Sequence, residues 1–158
     1  MTNKSIFRFD HRSVIEISGS DSLIFLQNLV TNDVNVSDEC LIYSGLLTPQ
    51  GKYLFDFFLL KKARDRFLID IDRNVSESFF RRLLAYRLRS DIKIEKTNYG
   101  VFVGFGNKPM NAWTDPRSDK MGWRLFDFES PKDFDCLDYD KVFFDRRRIN
   151  HCIPETGI

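Results

Sequence analysis

A turn motif between two apolar runs is the feature that most restricts how this chain can fold. Residues 46–60 read LLTPQGKYLFDFFLL, with Pro-Gln-Gly-Lys between stretches rich in leucine and phenylalanine. Proline presets φ for a β-turn, and a glycine in the turn tolerates a positive φ. The sequence therefore predicts antiparallel strands over residues 41–47 and 53–60. They are joined by a turn at residues 49–52, with Gly51 at positive φ.

Other segments show the periodicities of strands and helices. Strands are predicted at residues 5–9, 13–18, 67–72, 92–96, 101–105 and 122–128, and helices at residues 20–30, 75–89 and 138–150. Ser20 is predicted to cap the first helix, and Asn74 with Glu77 has the spacing of a capping box before the second. Because strands pair locally with helices between them, we expect an α+β fold of antiparallel sheets with packed helices.

Length and charge limit the protein classes that remain. A chain of 158 residues is long enough for one domain, or two small intertwined ones with a weak boundary near residue 106. The net charge of +1 provides no overall field for nucleic acid or an anionic membrane, so no direct nucleic-acid binding is expected. The first residues lack the pattern of a signal peptide, and no run of eighteen apolar residues predicts a membrane span.

Cysteine and histidine usage predicts neither a metal site nor a disulfide framework. Cys40, Cys136 and Cys152 are odd in number and share no CxxC spacing, which favours a reducing, cytoplasmic location. His11 and His151 are isolated in the sequence. No nucleophile motif or phosphate-binding loop occurs, so no catalytic residue is predicted.

One aspartate within the apolar hairpin indicates either a structural role or a ligand site. Strict alternation predicts two faces, the first with Tyr53, Phe55, Phe57 and Leu59, and the second with Leu54, Asp56, Phe58 and Leu60. A carboxylate between apolar neighbours must find hydrogen-bond donors or stay protonated. We therefore predict that Asp56 is buried and bonded to an amide, a hydroxyl or an arginine. It either stabilises the local structure or lines a pocket.

Two arginine clusters are either solvated helix faces or sites of phosphate contact. Arg81, Arg82, Arg87 and Arg89 follow one another on the second predicted helix, and residues 146–148 are all arginine. Each cluster is typical of a solvated helix face, and phosphate contact is the alternative.

Four segments carry a resemblance that covers nearly the whole chain. They read ISGSDSLIFLQNLVTNDV at residues 17–34, GLLTPQGKYLFDFFLL at 45–60, YRLRSDIKIEK at 86–96 and RRINHCIPETGI at 147–158. In this order and spacing they resemble the YgfZ family of folate-binding proteins, relatives of the glycine-cleavage T-protein, an aminomethyltransferase. The resemblance implies a body of ferredoxin-like pieces, a tetrahydrofolate site, and a role in assembling or repairing iron–sulfur proteins, with indirect effects on tRNA modification.

The resemblance also implies where the folate pocket lies. Asp56 corresponds to one wall of the family's cavity, Gln50 and Lys52 to its rim, and Asn32 to the segment before the hairpin. Asn150 stands where T-proteins have a pterin-binding glutamate, and Arg12 where some bacterial members have a tryptophan that contacts folate.

The chain also departs from the family pattern. The family's Lys-Gly-Cys-Tyr-x-Gly-Gln-Glu motif and C-terminal β-barrel follow the Pro-Glu segment and are missing from these 158 residues, and Cys152 does not replace the motif's cysteine. T-proteins have paired aspartates where this chain has Phe55 and Asp56.

A folate-binding accessory protein is therefore the main hypothesis. A tetrahydrofolate-dependent aminomethyltransferase and a truncated, non-binding remnant are its alternatives. We also expect the chain to bind folate weakly or not at all, and to self-associate through a face that relatives cover.

Overall fold

The computed structural model describes residues 5–154, in which ten strands form two five-stranded sheets flanked by three helices. The elements are β1 Ser5–Arg8, β2 Arg12–Ser18, α1 Ser22–Gln27, β3 Cys40–Leu47, β4 Tyr53–Ala63, β5 Arg66–Asp72, α2 Arg73–Arg87, β6 Lys93–Lys96, β7 Gly100–Gly104, β8 Trp113–Thr114, β9 Trp123–Asp127, β10 Asp135–Asp138 and α3 Lys141–Asn150. Within the described residues, no helix is both long and apolar enough to cross a membrane.

The first sheet, which we name the hairpin sheet, has the strand order β3-β4-β5-β2-β6, and all its pairs are antiparallel. The predicted turn connects β3 to β4: the Gly51 amide donates to Thr48 O at 2.9 Å, and Gly51 has φ +81°. The predicted hairpin and antiparallel α+β class are confirmed.

The second sheet has the strand order β10-β1-β7-β9-β8. Its pairs are antiparallel except that of β1 with β10, which is parallel. The sequence did not predict β10, because Asp135–Asp138 reads DCLD and all four residues are exposed. This strand adds backbone hydrogen bonds to the edge of β1 without burying an apolar face, so no alternation marks it.

Apolar side chains pack in three layers around these sheets. Helices α1 and α2 cover one face of the hairpin sheet, where Leu26, Phe57 and Phe79 are fully buried. The opposite face packs against the second sheet and α3 in a cluster that includes Phe58, Val103 and Phe144. A smaller cluster lies on the other face of the second sheet. The layer between the two sheets is the one that contains the candidate site.

The predicted helix caps are wrong, since Ser20 and Glu77 have other partners and Asp72 caps α2. Ser20 Oγ donates to Asp91 Oδ2 at 2.9 Å, and the N-cap position of α1 is Asp21, whose carboxylate accepts from the Asp91 amide instead of capping the helix. Helix α2 is capped by Asp72, whose Oδ1 accepts from the Asn74 amide at 2.8 Å. Glu77 pairs with Arg81 and Lys96, which prevents the predicted capping box.

Candidate functional site

Asp56 is buried on the face of the hairpin sheet that looks toward the second sheet. It is 7% exposed, and its two carboxylate oxygens accept hydrogen bonds from the hydroxyls of Tyr43 and Tyr53. The predicted burial and hydroxyl partner are therefore confirmed. Burial, followed by the bond to Asp56, raises the pKa of Tyr43, so this phenol stays protonated as a donor at neutral pH.

A β-bulge explains how Tyr53 reaches Asp56, which strict alternation excludes. Leu46 pairs with Phe55 while Leu47 pairs with Tyr53, so Leu54 is an extra residue in β4. Such an insertion reverses the faces of the residues before it. The predicted placement of Tyr53 on the face opposite Asp56 was wrong for this reason.

Replacing Asp56 with leucine is expected to lower the free energy of unfolding by about 1–3 kcal/mol, because two hydroxyls lose their acceptor. Denaturant unfolding of Asp56→Leu beside the wild type measures this loss. Tyr53→Phe is the milder companion variant, since it removes one donor and leaves the carboxylate bonded to Tyr43. An unchanged midpoint for Asp56→Leu would contradict the structural role of this carboxylate.

The remaining candidate residues lie at several places around the hairpin sheet. Asn32 is exposed beside β3, where its Nδ2 donates to Tyr43 O at 2.9 Å. Gln50 and Lys52 are exposed in the hairpin turn, and Asn150 is exposed at the last position of α3. Arg12 is buried at the start of β2. Asn32 and Asp56 thus both bond to Tyr43, the first to its carbonyl and the second to its hydroxyl. The folate contacts predicted for all six residues stay predictions.

A cleft of about 290 Å³ opens between the two sheets and α3. Among the six candidates, only Arg12 belongs to its lining. The other lining groups include the apolar side chains of Phe9, Phe58, Val103 and Phe144, and the charged side chains of Arg117, Arg124, Lys141, Arg148, Asp72, Asp115 and Asp145. Cations outnumber carboxylates in this lining, which favours an anionic ligand with an apolar part.

A buried ion network forms the inner wall of the cleft and joins the two sheets. Asp70, on β5, is fully buried and accepts from Arg12 Nε at 2.6 Å and from Arg124 Nη1 at 2.8 Å. Arg12 Nη2 also donates to the Asp70 carbonyl at 2.8 Å. Because β2 and β5 belong to the hairpin sheet and β9 to the second, this one carboxylate links both.

The network continues through the loop after β8. Asp115 accepts from Arg117 Nε at 3.0 Å and from Arg117 Nη2 at 2.8 Å, and its Oδ2 lies 3.7 Å from Arg124 Nε. Burial opposes ionisation of Asp115, but the bonds from Arg117 and the charge of Arg124 outweigh it and lower its pKa. Asp115 therefore stays charged and orients Arg117 at the cleft.

The ring of Phe58 contacts all three guanidinium groups of this network. Its centroid lies 3.7 Å from the guanidinium carbon of Arg124, 4.6 Å from that of Arg117 and 5.8 Å from that of Arg12. Cation–π contacts of this kind stabilise charge away from water. Burial nevertheless lowers the pKa of Arg124 to about 10, so the group remains charged at neutral pH at a cost in free energy.

Sequence reasoning missed Asp70, Asp115, Arg117 and Arg124. The signal for Asp70 was present, since FLIDID places an aspartate among buried strand residues just as FDFF does for Asp56. Its partners carried no such signal, because Arg12 and Arg124 are 58 and 54 residues away along the chain.

The three cysteines are free, with Cys40 partly buried and Cys136 and Cys152 exposed. Over residues 5–154, no group of three or more His, Cys, Asp or Glu side chains is arranged to hold a metal ion.

Comparison with known proteins gives relatives in two functional groups. The iron–sulfur cluster assembly factor IBA57 homolog, mitochondrial, of Mycosarcoma maydis is 31% identical over an alignment of 136 residues, and this alignment covers 72% of this chain and 34% of that protein. The aminomethyltransferase of Desulfitobacterium hafniense is 31% identical over 91 residues, 57% of this chain and 25% of that protein. The chain is similar to both groups. No family model matches it.

A solved structure shares the fold. The glycine cleavage system aminomethyltransferase T of Bartonella henselae matches with a TM-score of 0.59 at 19% identity, over 64% of this chain and 28% of that one. The T-protein-like α+β architecture implied by the resemblance is thus confirmed. The chain spans about a third or less of the length of these proteins.

The cytoplasmic location favoured by cysteine usage is contradicted by these relatives. The matched assembly factors from three fungi are named as mitochondrial proteins. Free cysteines indicate only a reducing compartment, and they do not distinguish one such compartment from another.

Proposed function

We propose that this chain forms the ligand-binding body of an accessory factor in iron–sulfur cluster assembly, of the YgfZ type, and that its ligand is a folate. The observation that carries the proposal is the similarity to the Mycosarcoma maydis assembly factor over 72% of the chain. The inter-sheet cleft of this chain is the candidate ligand site. Iron–sulfur proteins are its clients in this proposal, and any effect on tRNA modification is indirect.

The chemistry of the cleft is consistent with a folate ligand. A folate combines flat aromatic rings with a tail that carries carboxylates. The lining offers Phe58 and Phe144 for apolar contact, and Arg117 and Lys141 for the charged part. Ligand sites in proteins commonly have this composition, in which apolar walls surround a few polar groups.

An aminomethyltransferase is the second candidate, supported by the relative from Desulfitobacterium hafniense. The surroundings of Asp56 favour the accessory role. Both oxygens of this carboxylate already accept hydroxyl hydrogen bonds, which suits a fixed structural group better than one that must stabilise developing charge on a substrate.

A chimera tests the proposal. The segment of the Mycosarcoma maydis assembly factor that aligns with this chain is replaced by this chain, and the chimera is expressed in cells depleted of the native factor. We expect iron–sulfur enzyme activity to return, and the purified chimera to bind tetrahydrofolate in calorimetry.

The two readouts separate the parts of the proposal. A chimera that accumulates normally but restores no iron–sulfur enzyme contradicts the accessory role. A chimera that restores activity without binding tetrahydrofolate contradicts the folate ligand. Aminomethyl transfer by the chimera would instead favour the enzymatic alternative. The unmodified relative serves as the positive control in each assay.

A further inference from the structure

The three arginines of the ion network have more donors than their protein partners use. Each guanidinium carries five N–H groups. Arg12 bonds through Nε and Nη2, Arg117 through Nε and Nη2, and Arg124 through Nη1 alone. Arg124 Nε is buried and has no hydrogen bond within the described residues. Terminal nitrogens of all three groups therefore lack a protein acceptor in this part of the chain.

The charges of the network are also unbalanced. Arg12, Arg117 and Arg124 face two buried carboxylates, Asp70 and Asp115, so positive charges exceed negative charges by one in this network over residues 5–154. An unpaired buried charge is costly and normally has a counter-charge. Phe58 supplies only partial compensation through its ring.

The other carboxylates of the cleft form no ion pair with these three arginines among the described residues. Asp72 accepts from the Asn74 amide at the start of α2. Asp145 pairs with Lys141 at 3.0 Å and with Arg148 at 2.8 Å. His11, at the same wall, has a buried Nδ1 without a hydrogen-bond partner among the described residues. Among the described residues, the donors of this wall therefore outnumber its acceptors, which favours a negatively charged acceptor in the cleft.

We infer that Arg12, Arg117 and Arg124 form an oxyanion-binding subsite of this cleft, which takes a carboxylate or phosphate group of the ligand. The identity of the molecule that carries the anion rests on the proposed function. The location of the subsite rests on the arrangement of the arginine donors. Planar guanidinium groups suit both oxyanions, since two parallel N–H donors match two oxygens. Arg117 is the accessible member, with a side chain 13% exposed, so the anion enters from its side.

Nuclear magnetic resonance of the arginine Nε groups tests the subsite in the intact chain. Inorganic phosphate is added at constant ionic strength, with chloride as the balancing anion. We expect the Nε signals of Arg12, Arg117 and Arg124 to shift saturably. The Nε signal of Arg81, which is 76% exposed and pairs with Glu77, is the internal control and should respond only weakly. A uniform response of all four arginines overturns the inference.

Two matched variants give the second measurement. Arg117→Gln should weaken phosphate binding at least tenfold, as expected for the loss of a hydrogen bond to a charged group, whereas Arg81→Gln should leave it unchanged. Arg124→Gln should weaken phosphate binding more than Arg117→Gln does. If Arg124→Gln does not fold, Arg117→Gln still decides the test. Equal phosphate affinity in wild type and Arg117→Gln overturns the inference.

Ligand fragments separate this inference from the proposed function. para-Aminobenzoylglutamate carries the carboxylates of a folate, and tetrahydropterin carries only its ring. If the carboxylates occupy the subsite, the first compound competes with phosphate and the second does not. Saturable phosphate binding at the three arginines, without tetrahydrofolate binding by either this chain or the chimera, supports the subsite and contradicts the folate proposal. If tetrahydrofolate binds and neither phosphate nor Arg117→Gln affects its binding, the folate proposal is supported and the subsite is contradicted.

Discussion

Replacing Asp70 with asparagine is expected to lower the free energy of unfolding by about 3–5 kcal/mol, because two buried guanidinium groups lose their shared counter-charge. Asparagine keeps the size of the side chain and one acceptor oxygen, so the loss reports on charge more than on packing. Urea unfolding followed by circular dichroism measures it. Since Asp70 links β2 and β5 to β9, we expect the loosened contact between the sheets to widen the cleft.

An exposed carboxylate serves as the control for this substitution. Asp10 pairs with Arg8 at 2.7 Å, and both side chains are more than half exposed. Surface pairs of this kind contribute little to stability, so Asp10→Asn should leave the unfolding midpoint nearly unchanged. Similar midpoints for the Asp70→Asn and Asp10→Asn variants would show that the buried network does not hold the two sheets together.

Replacing Gly122 with alanine is expected to cost more than about 3 kcal/mol, because strain and collision act together. Gly122 has φ +80° and ψ −146°, in a region that residues with a Cβ rarely adopt. An added Cβ would lie 2.1 Å from Gly104 O and 2.7 Å from the Phe105 ring. The Gly122 carbonyl also accepts from the Asp115 amide at 2.9 Å, so the variant would displace a member of the ion network.

Gly51 provides a matched comparison in the same chain. Its φ of +81° is nearly identical, but nothing lies within 4 Å of the position that a Cβ would occupy. Gly51→Ala should therefore cost only about 1–2 kcal/mol for the left-handed backbone. The difference between the two variants in chemical denaturation measures the collision at Gly122 together with the strain of its ψ of −146°. Equal losses would show that the backbone at Gly122 relaxes freely.

The sequence predicted what depends on local periodicity. The hairpin, the strands β2 and β5 and the helix α2 follow from repeats of two or 3.6 residues, which neighbouring side chains determine. The burial of Asp56 followed from the same alternation. The bulge at Leu54 did not, because it depends on how β4 registers against β3 and not on β4 alone.

The inner wall of the cleft shows where sequence reasoning stopped. The family resemblance singled out Arg12 as a folate contact, whereas the structure gives it a carboxylate partner on β5. Arg124 was not singled out, since WRLFD reads as an ordinary strand with one cation. A buried ion pair requires two residues to meet across the fold, and a single sequence contains no record of which distant residues do so.

The position of β1 has a consequence for the order of folding. This strand pairs with β7, where Ile6 faces Gly104, and with β10, where Ser5 faces Asp135. Along the chain, the strands between β1 and β7 form the hairpin sheet. Both pairings join residues that are far apart in the sequence, and closing such long loops is entropically unfavourable and slows folding. During synthesis, the hairpin sheet has all its strands by Lys96, when both neighbours of β1 are still missing. Until they emerge, β1 presents unpaired edges on which another chain can add a strand, and a chaperone that covers it would favour the correct pairing.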